Sequence, residues 1–367
     1  MTTTLHVGTR KGLFTVARNG RSWEVTRASL LGDPVSMVLR DRAGTLHAAQ
    51  DLGHFGAKMK RSTDDGATWT EAAVPQYPEK PEGLEDNDPM RGTPIPWALK
   101  MVWSLEQGAR DNELWCGTIP GGLFRSTDGG ESWALNENLW RHPGRKQWMG
   151  GGADLPGIHS ILVDPRDGDT IRIGVSCGGM WTTRDCGDTW AVECKGLRAA
   201  YAPPEHAYEP NGQDAHRLAQ CRAAPDTIWI QHHNGIFKST DSGMTCSELV
   251  DVEPSVFGFA VVVHPEDPDS AWFVPGVKDE FRYPVDGALV VNRTRDGGKT
   301  FETLRSGLPQ SHAYDLIYRH GLDIDGSGDR LAFGSTTGNL WISENQGDDW
   351  TQVSANLPPI YCVRFAD

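Results

Sequence analysis

The sequence predicts an all-β chain, a single seven-bladed β-propeller domain of four-stranded blades over residues 1–367. Three observations lead to this fold class. Glycine and tryptophan are both abundant, with 42 and 14 residues, which favours turn-rich β structure with aromatic anchors over a helical bundle or a disordered chain. One eight-residue box recurs along the chain, and short apolar strands precede its copies.

The first blade begins with three predicted strands, Leu5–Gly8, Leu13–Ala17 and Ser22–Val25. A four-stranded blade needs one more strand, and the C-terminal segment Ile360–Phe365 has the required apolar pattern. Joining the two ends in one sheet removes both open edges, which otherwise promote aggregation. We therefore expect the C-terminal strand to close the first blade.

Each later blade is predicted from the box and from the strands before it. The box is a hairpin turn between the third and fourth strands: its Asp accepts hydrogen bonds from turn N–H groups, the Gly two positions after the Asp adopts positive φ, and an aromatic residue covers the turn. A degenerate copy ends at Trp23, and successive copies are roughly 50 residues apart. The clear copies are Ser62–Trp69, Ser126–Trp133, Thr183–Trp190, Ser239–Cys246, Thr294–Phe301 and Ser343–Trp350.

Composition excludes several classes of function. The chain has 35 basic and 49 acidic side chains, a net charge of −14, whereas nucleic-acid binding needs a clustered basic excess. No secretion signal or membrane-spanning apolar run is present, so we expect a soluble cytoplasmic protein without a membrane or nucleic-acid partner. The seven cysteines form no CxxC pair, so we expect buried free thiols.

The boxes, together with the segments HVGTRKGLF, LFRSTDGGESW, QHHNGIFKSTDSG and FGFAVVVHPEDPD, resemble the BNR or Asp-box propellers. Over its full length the chain resembles bacterial sialidase-like, glycosyl-hydrolase BNR-repeat proteins. The resemblance implies a propeller and a glycosyl-hydrolase-like activity. The Arg-Ile-Pro segment of sialidases is absent, so their catalytic residues are not transferred. The resemblance to Asp-box xyloglucanases is partial, because those enzymes hold two catalytic Asp residues in a cleft between two propellers.

One end of the predicted blades carries the candidate site. The connections between second and third strands and the entrances to the first strands share this end, where the long loops 71–97, 135–158 and 192–216 lie. The predicted catalytic residues are Asp315, His216, Tyr314 and Asp214. The predicted ligand-binding residues are His159, His232, His233, Trp97, Arg10, His54, Arg145 and His312.

Three chemical interpretations stay open for these residues. His159, His216 and His233 can bind a divalent metal in the axial channel, or they are polar histidines bonded to backbone and water. Paired carboxylates from the set Asp51, Asp214, Glu280 and Asp315 can hydrolyse a glycoside, or they belong to acidic surface loops.

The third interpretation is elimination, in which His216 and Tyr314 remove and return a proton. The alternative is that Tyr314 has a structural role only.

The function predicted from the sequence is a glycosyl-hydrolase-like propeller that binds a small polar, anionic or sugar-like ligand in an axial pocket, with hydrolase or lyase activity. The alternative is a non-catalytic scaffold that binds a protein partner. No cofactor is required by any motif, and a divalent metal in the channel is the one cofactor that the residues suggest.

Overall fold

The computed structural model describes residues 3–151 and 153–366. In this part of the chain, 28 strands form seven four-stranded antiparallel sheets. Each sheet takes four strands in sequence order, except that the last strand of the chain joins the first sheet. The fold is a seven-bladed β-propeller, and the predicted fold class is confirmed.

The strands of the first four sheets are β1 Thr4–Thr9, β2 Gly12–Asn19, β3 Ser22–Ser29, β4 Val35–Arg40, β5 Leu46–Asp51, β6 Ala57–Ser62, β7 Thr70–Ala72, β8 Met101–Gln107, β9 Leu114–Ile119, β10 Leu123–Ser126, β11 Ala134–Leu135, β12 Ile158–Val163, β13 Ile171–Val175, β14 Gly179–Thr183 and β15 Ala191–Glu193. The remaining strands are β16 Ala215–Gln220, β17 Ile228–His232, β18 Gly235–Ser239, β19 Ser247–Leu249, β20 Gly258–Val263, β21 Ala271–Pro275, β22 Val291–Thr294, β23 Glu302–Leu304, β24 Leu322–Ile324, β25 Leu331–Gly334, β26 Leu340–Ser343, β27 Thr351–Ser354 and β28 Ile360–Phe365.

Helical structure is confined to short segments of the connections. The α-helix α1 spans Glu137–Trp140, and single 3-10 turns occur at Gly53–Phe55, Pro143–Gln147, Pro210–Gly212 and Val285–Gly287. Among the residues described here, no helix has the length and apolar character needed to cross a lipid bilayer.

The described residues divide into two compact units. One unit comprises residues 3–38, 219–242 and 247–366, and the other comprises 39–151, 153–218 and 243–246. Two boundaries fall inside β4 and inside β16, and the other two enclose residues 243–246 between β18 and β19. The expectation of one domain over 1–367 stays a prediction.

The C-terminal strand completes the first sheet as predicted. β28 pairs antiparallel with β1, with Leu5 opposite Phe365 and Val7 opposite Val363. The order β28-β1-β2-β3 therefore gives this sheet its fourth strand. Leu5, Val7 and Val363 are buried together with Trp23, the closing residue of the degenerate box.

The boxes form the predicted hairpin turns. In the second sheet, Ser62 Oγ donates to Asp64 Oδ1 at 2.7 Å and accepts from the N–H of Gly66 at 2.8 Å. Gly66 has φ +84°, a backbone conformation that would be strained for a residue with an L side chain. The same pair of hydrogen bonds recurs in the boxes that begin at Ser126, Thr183, Thr294 and Ser343.

These hydrogen bonds act on the acidity of the box carboxylates. Four of these carboxylates have their pKa lowered to about 2. The largest cause is the hydrogen bond from the Ser or Thr hydroxyl four residues after the Asp, and backbone N–H groups and the first residue of the box add to it. The four carboxylates are Asp64, Asp128, Asp185 and Asp296. The turns are therefore held by charged acceptors at neutral pH.

The core of each unit is formed by large aromatic and aliphatic side chains of neighbouring sheets. In one unit, Trp272, Phe333 and Trp341 pack in a single cluster. In the other, Trp148 and Trp181 belong to a second cluster with their rings edge to face at 5.4 Å. Trp148 lies in a long loop of the sequence but is fully buried, so it stabilises the core.

The cysteine prediction was wrong for two residues. Cys194, just after β15, forms a disulfide with Cys246, with their Cα atoms 5.5 Å apart. Cys246 closes the box that begins at Ser239, whereas four other clear copies end in Trp. The N–H of Cys246 also donates to Lys195 O at 2.8 Å, so backbone and disulfide together join the two segments. The sequence could not show this, because the two residues are 52 positions apart.

Candidate functional site

An open cavity of about 520 Å³ lies in the unit that contains residues 39–218. Three segments line it: the β5–β6 connection, the entrance to β8 with the end of β9, and the loop before β12. The lining residues are Asp51, Gly53, His54, Gly56, Leu99, Lys100, Met101, Ile119, Ala153, Asp154 and Leu155. This volume is typical of small-molecule sites.

The polar groups of the cavity come from different segments. Asp51 ends β5 and accepts a hydrogen bond from the N–H of Gly53 at 3.3 Å, which orients its carboxylate at the turn. His54 is exposed, and its ring lies 3.9 Å from that of Phe55. Lys100 and Asp154 are exposed on the other two segments. The cavity thus offers two carboxylates, an imidazole and an ammonium group.

The loop that carries Asp154 is held by buried polar contacts. Asp88 is fully buried, and its Oδ2 accepts from the N–H of Gly150 at 2.8 Å. Arg91 donates to the carbonyl of Gly150 at 2.7 Å. A Cβ atom on Gly150 would lie 2.4 Å from the carbonyl carbon of Asp154, so only glycine allows this close approach.

The floor of the cavity belongs to a hydrophobic cluster. Met101, Ile119 and Leu155 line the cavity and pack with the buried Trp140. Trp140 ends helix α1, which begins after Asn136, whose side chain accepts from the N–H of Leu139 at 2.8 Å.

Tyr77 packs against the ring of Trp140 and donates its hydroxyl proton to Pro120 O at 2.6 Å. Burial raises the pKa of Tyr77, which keeps this hydroxyl neutral.

A buried ion pair supports the same floor. Arg145 donates to Asp86 Oδ2 at 2.6 Å, and both side chains are nearly inaccessible to solvent. Asp86 Oδ2 also accepts from the Trp97 indole N–H at 2.8 Å, and the Arg145 guanidinium lies 4.0 Å from the centre of the Trp140 ring. Trp97 and Arg145, predicted as ligand-binding residues, therefore have their polar groups engaged in this internal network.

A second constellation lies at the start of β16. His216 Nε2 is 3.5 Å from Asp214 Oδ2, and both residues are buried. The other oxygen of Asp214 accepts from Ser176 Oγ at 3.3 Å and from the N–H of Cys177 at 3.2 Å. The structure thus brings together two of the four predicted catalytic residues.

The fifth sheet, β16-β17-β18-β19, also brings together possible metal ligands. Within the described ranges, one group of three has its ligand atoms within 4.8 Å of one another: Asp214, His216 and His233. His159, the third histidine of the metal hypothesis, is outside this group. Its Nδ1 lies 2.9 Å from Ser160 Oγ, and its ring meets Trp103 edge to face. His232 is buried, and its Nδ1 accepts from the N–H of Asn234 at 3.4 Å.

The remaining predicted residues lie in the other unit, each in a distinct setting. Asp315 is buried, and its Oδ1 accepts from Ser335 Oγ at 2.6 Å, from the hydroxyl of Thr337 and from Asn339 Nδ2 at 2.7 Å. Tyr314 is exposed, and its ring meets that of Tyr283 edge to face. Arg10 and His312 are exposed. Asp315 is thus a turn-stabilising acceptor in this structure.

Two cavity residues were missed by the sequence analysis. Asp154 and Lys100 lie in long connections that have no repeat register, and no motif distinguishes them from other surface charges. The one available signal was position, because both precede the first strand of a blade. Entrances to first strands were the segments in which candidate residues were expected.

Known proteins resemble this chain in sequence and in fold. A probable oligoxyloglucan-reducing end-specific xyloglucanase of Neosartorya fischeri is 30% identical over 334 residues, covering 83% of this chain. The chain spans between 9% and 37% of the length of the curated relatives it matches. No family model matches it.

The chain is a seven-bladed β-propeller with homologues among the xyloglucanases. Two solved structures share its fold. A GH74 xyloglucanase from Xanthomonas campestris aligns with a TM-score of 0.64 and 18% identity, over 100% of this chain and 53% of the enzyme. YCF48 from Cyanidioschyzon merolae aligns with a TM-score of 0.57 and 18% identity, over 93% and 91% of the two chains. At this identity both likenesses concern the fold alone.

Proposed function

We propose that this chain is a glycosyl-hydrolase-like propeller that binds a xyloglucan-type oligosaccharide and cleaves a glycosidic bond in the cavity between Asp51 and Asp154. The cavity carries the proposal, because it combines two carboxylates with an apolar floor. The sequence similarity to relatives named as xyloglucanases supports the choice of substrate. The same relatives support the class of activity, because they are glycoside-cleaving enzymes by name.

The lining suits a sugar. Carboxylates accept hydrogen bonds from sugar hydroxyls, and the Lys100 ammonium and the His54 imidazole can donate to ring and hydroxyl oxygens. Met101, Ile119 and Leu155 give an apolar surface for the C–H face of a pyranose ring. Phe55, which is 72% exposed beside His54, offers an aromatic face near the opening.

The chemistry requires two carboxyl groups with different tasks. One protonates the leaving oxygen of the glycosidic bond, and the other activates water or attacks the sugar carbon. Asp51 and Asp154 are the two carboxylic acids among the lining residues. Asp51 has a backbone donor from its own turn, which stabilises the charged carboxylate and suits the role of base or nucleophile. Asp154, the other carboxylic acid of the lining, is then the proposed proton donor.

The test is cleavage of xyloglucan and its oligosaccharides, measured by the release of reducing ends. Asp51→Asn and Asp154→Asn each keep the size of the side chain and remove the carboxyl function. We expect each substitution to lower kcat by about 10²–10⁴-fold, the usual contribution of a general acid or base. Unchanged circular dichroism would show that the fold is intact.

A matched control is Asp111→Asn. Asp111 is an exposed aspartate in the β8–β9 connection, where it lines a different cavity with Asp41 and Arg42. Its substitution should leave turnover unchanged. If wild-type protein neither bound nor cleaved the glycans, the proposal would be refuted, and the alternative of a protein-binding scaffold would gain support. The exposed rings of Phe281, Tyr283 and Tyr314 are a surface for such a partner.

A further inference from the structure

Three aromatic side chains form an exposed row in the unit that contains residues 247–366. Phe281 and Tyr283 lie in the β21–β22 connection, and Tyr314 lies in the β23–β24 connection. These residues are 48%, 37% and 61% exposed. The ring centre of Tyr283 is 6.4 Å from that of Phe281 and 6.2 Å from that of Tyr314. The three rings are therefore neighbours on the surface, and we call them the aromatic row.

Hydrogen bonds fix the main chain that carries the aromatic row. The N–H of Phe281 donates to Lys278 O at 3.0 Å, and the N–H of Tyr283 donates to Phe281 O at 3.0 Å. The two connections are also joined to each other, because the N–H of Ala313 donates to Gly287 O at 2.9 Å. Exposed rings on a fixed main chain lose little conformational freedom when a ligand binds, which favours binding.

Tyr314 has a second anchor in the residue that follows it. Asp315 is buried, and its carboxylate accepts hydrogen bonds from Ser335 Oγ at 2.6 Å and from Asn339 Nδ2 at 2.7 Å. These bonds hold the segment in place while the neighbouring ring of Tyr314 stays exposed. The most exposed ring of the aromatic row is therefore also held from the buried side of its segment.

The charges beside the aromatic row cancel. Arg282 Nε donates to Asp279 Oδ1 at 3.1 Å. Lys278 Nζ lies 3.5 Å from Glu280 Oε2. The segment 278–283 therefore has two positive and two negative side chains, which pair with each other. A surface without net charge has no electrostatic preference for an acidic or a basic partner, so it fits an uncharged ligand.

The size of the aromatic row favours a glycan over the protein partner of the scaffold alternative. Between residues 276 and 316, all of them described, the exposed large apolar side chains are the three aromatic ones. At about 200 Å² per aromatic side chain, their exposed fractions correspond to about 300 Å² in all. A stable protein–protein interface needs about 800 Å² on each partner. The row is too small for that and large enough for sugar rings.

The tilt of the rings indicates the physical form of the ligand. The ring planes of Phe281 and Tyr283 are 77° apart, and those of Tyr283 and Tyr314 are 61° apart. The faces therefore point in different directions and do not form one flat platform. A crystalline polysaccharide needs coplanar rings, whereas a single hydrated chain can follow tilted ones.

We propose that the aromatic row binds a soluble, uncharged glycan chain, with the rings packed against the C–H faces of its pyranose units and the tyrosine hydroxyls bonded to sugar hydroxyls. The choice of xyloglucan as the probe rests on the function proposed above. The aromatic row shares no residue with the lining of the cavity that contains Asp51 and Asp154. It is therefore a second glycan site of the chain.

The experiment is calorimetric titration of the Asp51→Asn variant, which should not cleave the ligand, with xyloglucan oligosaccharides. We expect two sites per chain, one in the cavity and one at the aromatic row. Adding Phe281→Ala or Tyr314→Ala should weaken one of the two sites by about fivefold or more. Tyr314→Phe keeps the ring and should retain most of the affinity. Unchanged circular dichroism would show that each variant is folded.

The matched control is Tyr208→Ala. Tyr208 is 62% exposed, like Tyr314, but it lies in the loop 192–216 of the other unit. Its substitution should leave both sites unchanged. Parent affinity at both sites in Phe281→Ala and in Tyr314→Ala would overturn the inference. So would a change from dimer to monomer in those two variants with unchanged glycan affinity, because the row would then be a contact between copies of the chain.

Microcrystalline cellulose tests the form of the ligand. It should retain the parent and the Tyr314→Ala variant equally, and retention that depends on Tyr314 would contradict binding of a soluble chain. The two proposals can fail separately. Release of reducing ends by the wild-type protein tests cleavage in the cavity, whereas loss of one site in the Tyr314→Ala variant tests the aromatic row.

Discussion

The buried pair Asp86–Arg145 allows a quantitative test of how the cavity floor is held. The perturbation is Asp86→Asn, which keeps the shape of the side chain and removes its charge. Arg145 is 4% exposed and loses its carboxylate partner, although the Trp97 indole can still donate to the amide oxygen. The guanidinium would then remain buried beside Trp140 without an opposite charge.

The magnitude follows from the distance and the burial. At 2.6 Å and an effective dielectric constant of about 20, the Coulomb attraction of the pair is about 6 kcal/mol. Desolvation offsets part of this attraction, but removing one partner of a buried pair typically costs about 3–5 kcal/mol. With a denaturant slope of about 3 kcal/mol per molar urea, the unfolding midpoint should fall by about 1–1.7 M.

The assay is urea unfolding followed by tryptophan fluorescence, with Glu137→Gln as the control. Glu137 pairs with Arg141 at 2.5 Å, in the same loop region, but the two side chains are 49% and 59% exposed. An exposed pair contributes about 0–1 kcal/mol. Equal losses in the two variants would refute the reasoning, because the distances are alike and only the burial differs.

Further predictions concern the loop, the turns and the disulfide. Gly150→Ala should destabilise the protein by about 1–3 kcal/mol and weaken oligosaccharide binding in calorimetry, because its Cβ would collide with the backbone of Asp154; wild-type values for both would contradict the close approach. The box carboxylates have folded pKa values of about 2, below their usual 3.8, so their contribution to stability is present above pH 4 and is lost as the pH falls towards 2. Melting temperatures measured between pH 5 and pH 2 should show this loss, and Asp64→Asn should reduce its size. Reduction of the Cys194–Cys246 disulfide, or Cys194→Ser, should lower the free energy of unfolding by about 4 kcal/mol, because the bond closes a 52-residue separation. Thiol titration of unfolded, unreduced protein should find five free cysteines, and seven would show that the bond is absent.

The sequence predicted the elements that repeat and missed those that do not. Box spacing and strand patterns located the blades, because each turn needs the same Ser or Thr, Asp and Gly at fixed positions. The closing strand Ile360–Phe365 was predicted from the missing fourth strand, and the observed bounds are identical. Cys246 broke the aromatic pattern, but its partner lies in a segment with no repeat signal.

The candidate site was harder to predict, because it depends on loop conformation. Trp97 and Arg145 were expected to face a ligand, and the chain instead folds so that both contact Asp86 under the cavity. Asp315 was singled out beside Tyr314, but three donors on the segment 335–339 converge on its carboxylate. Such contacts join distant positions, and a single sequence contains no measure of them. A disulfide is also typical of oxidising compartments, whereas the sequence analysis predicted a cytoplasmic protein.

The pairing of β1 with β28 has a consequence for the order of folding. The hydrogen bonds of each box join residues two and four positions apart, so these hairpins can form on the microsecond scale as soon as their segment is free. Leu5 and Phe365, by contrast, are 365 − 5 = 360 positions apart and pair only after all the residues between them have been synthesised. During translation β1 therefore has an unpaired edge until β28 has been synthesised, and contacts of long sequence separation are slow to form. We expect chaperones that bind the chain during its synthesis to find the box hairpins formed and the first blade incomplete.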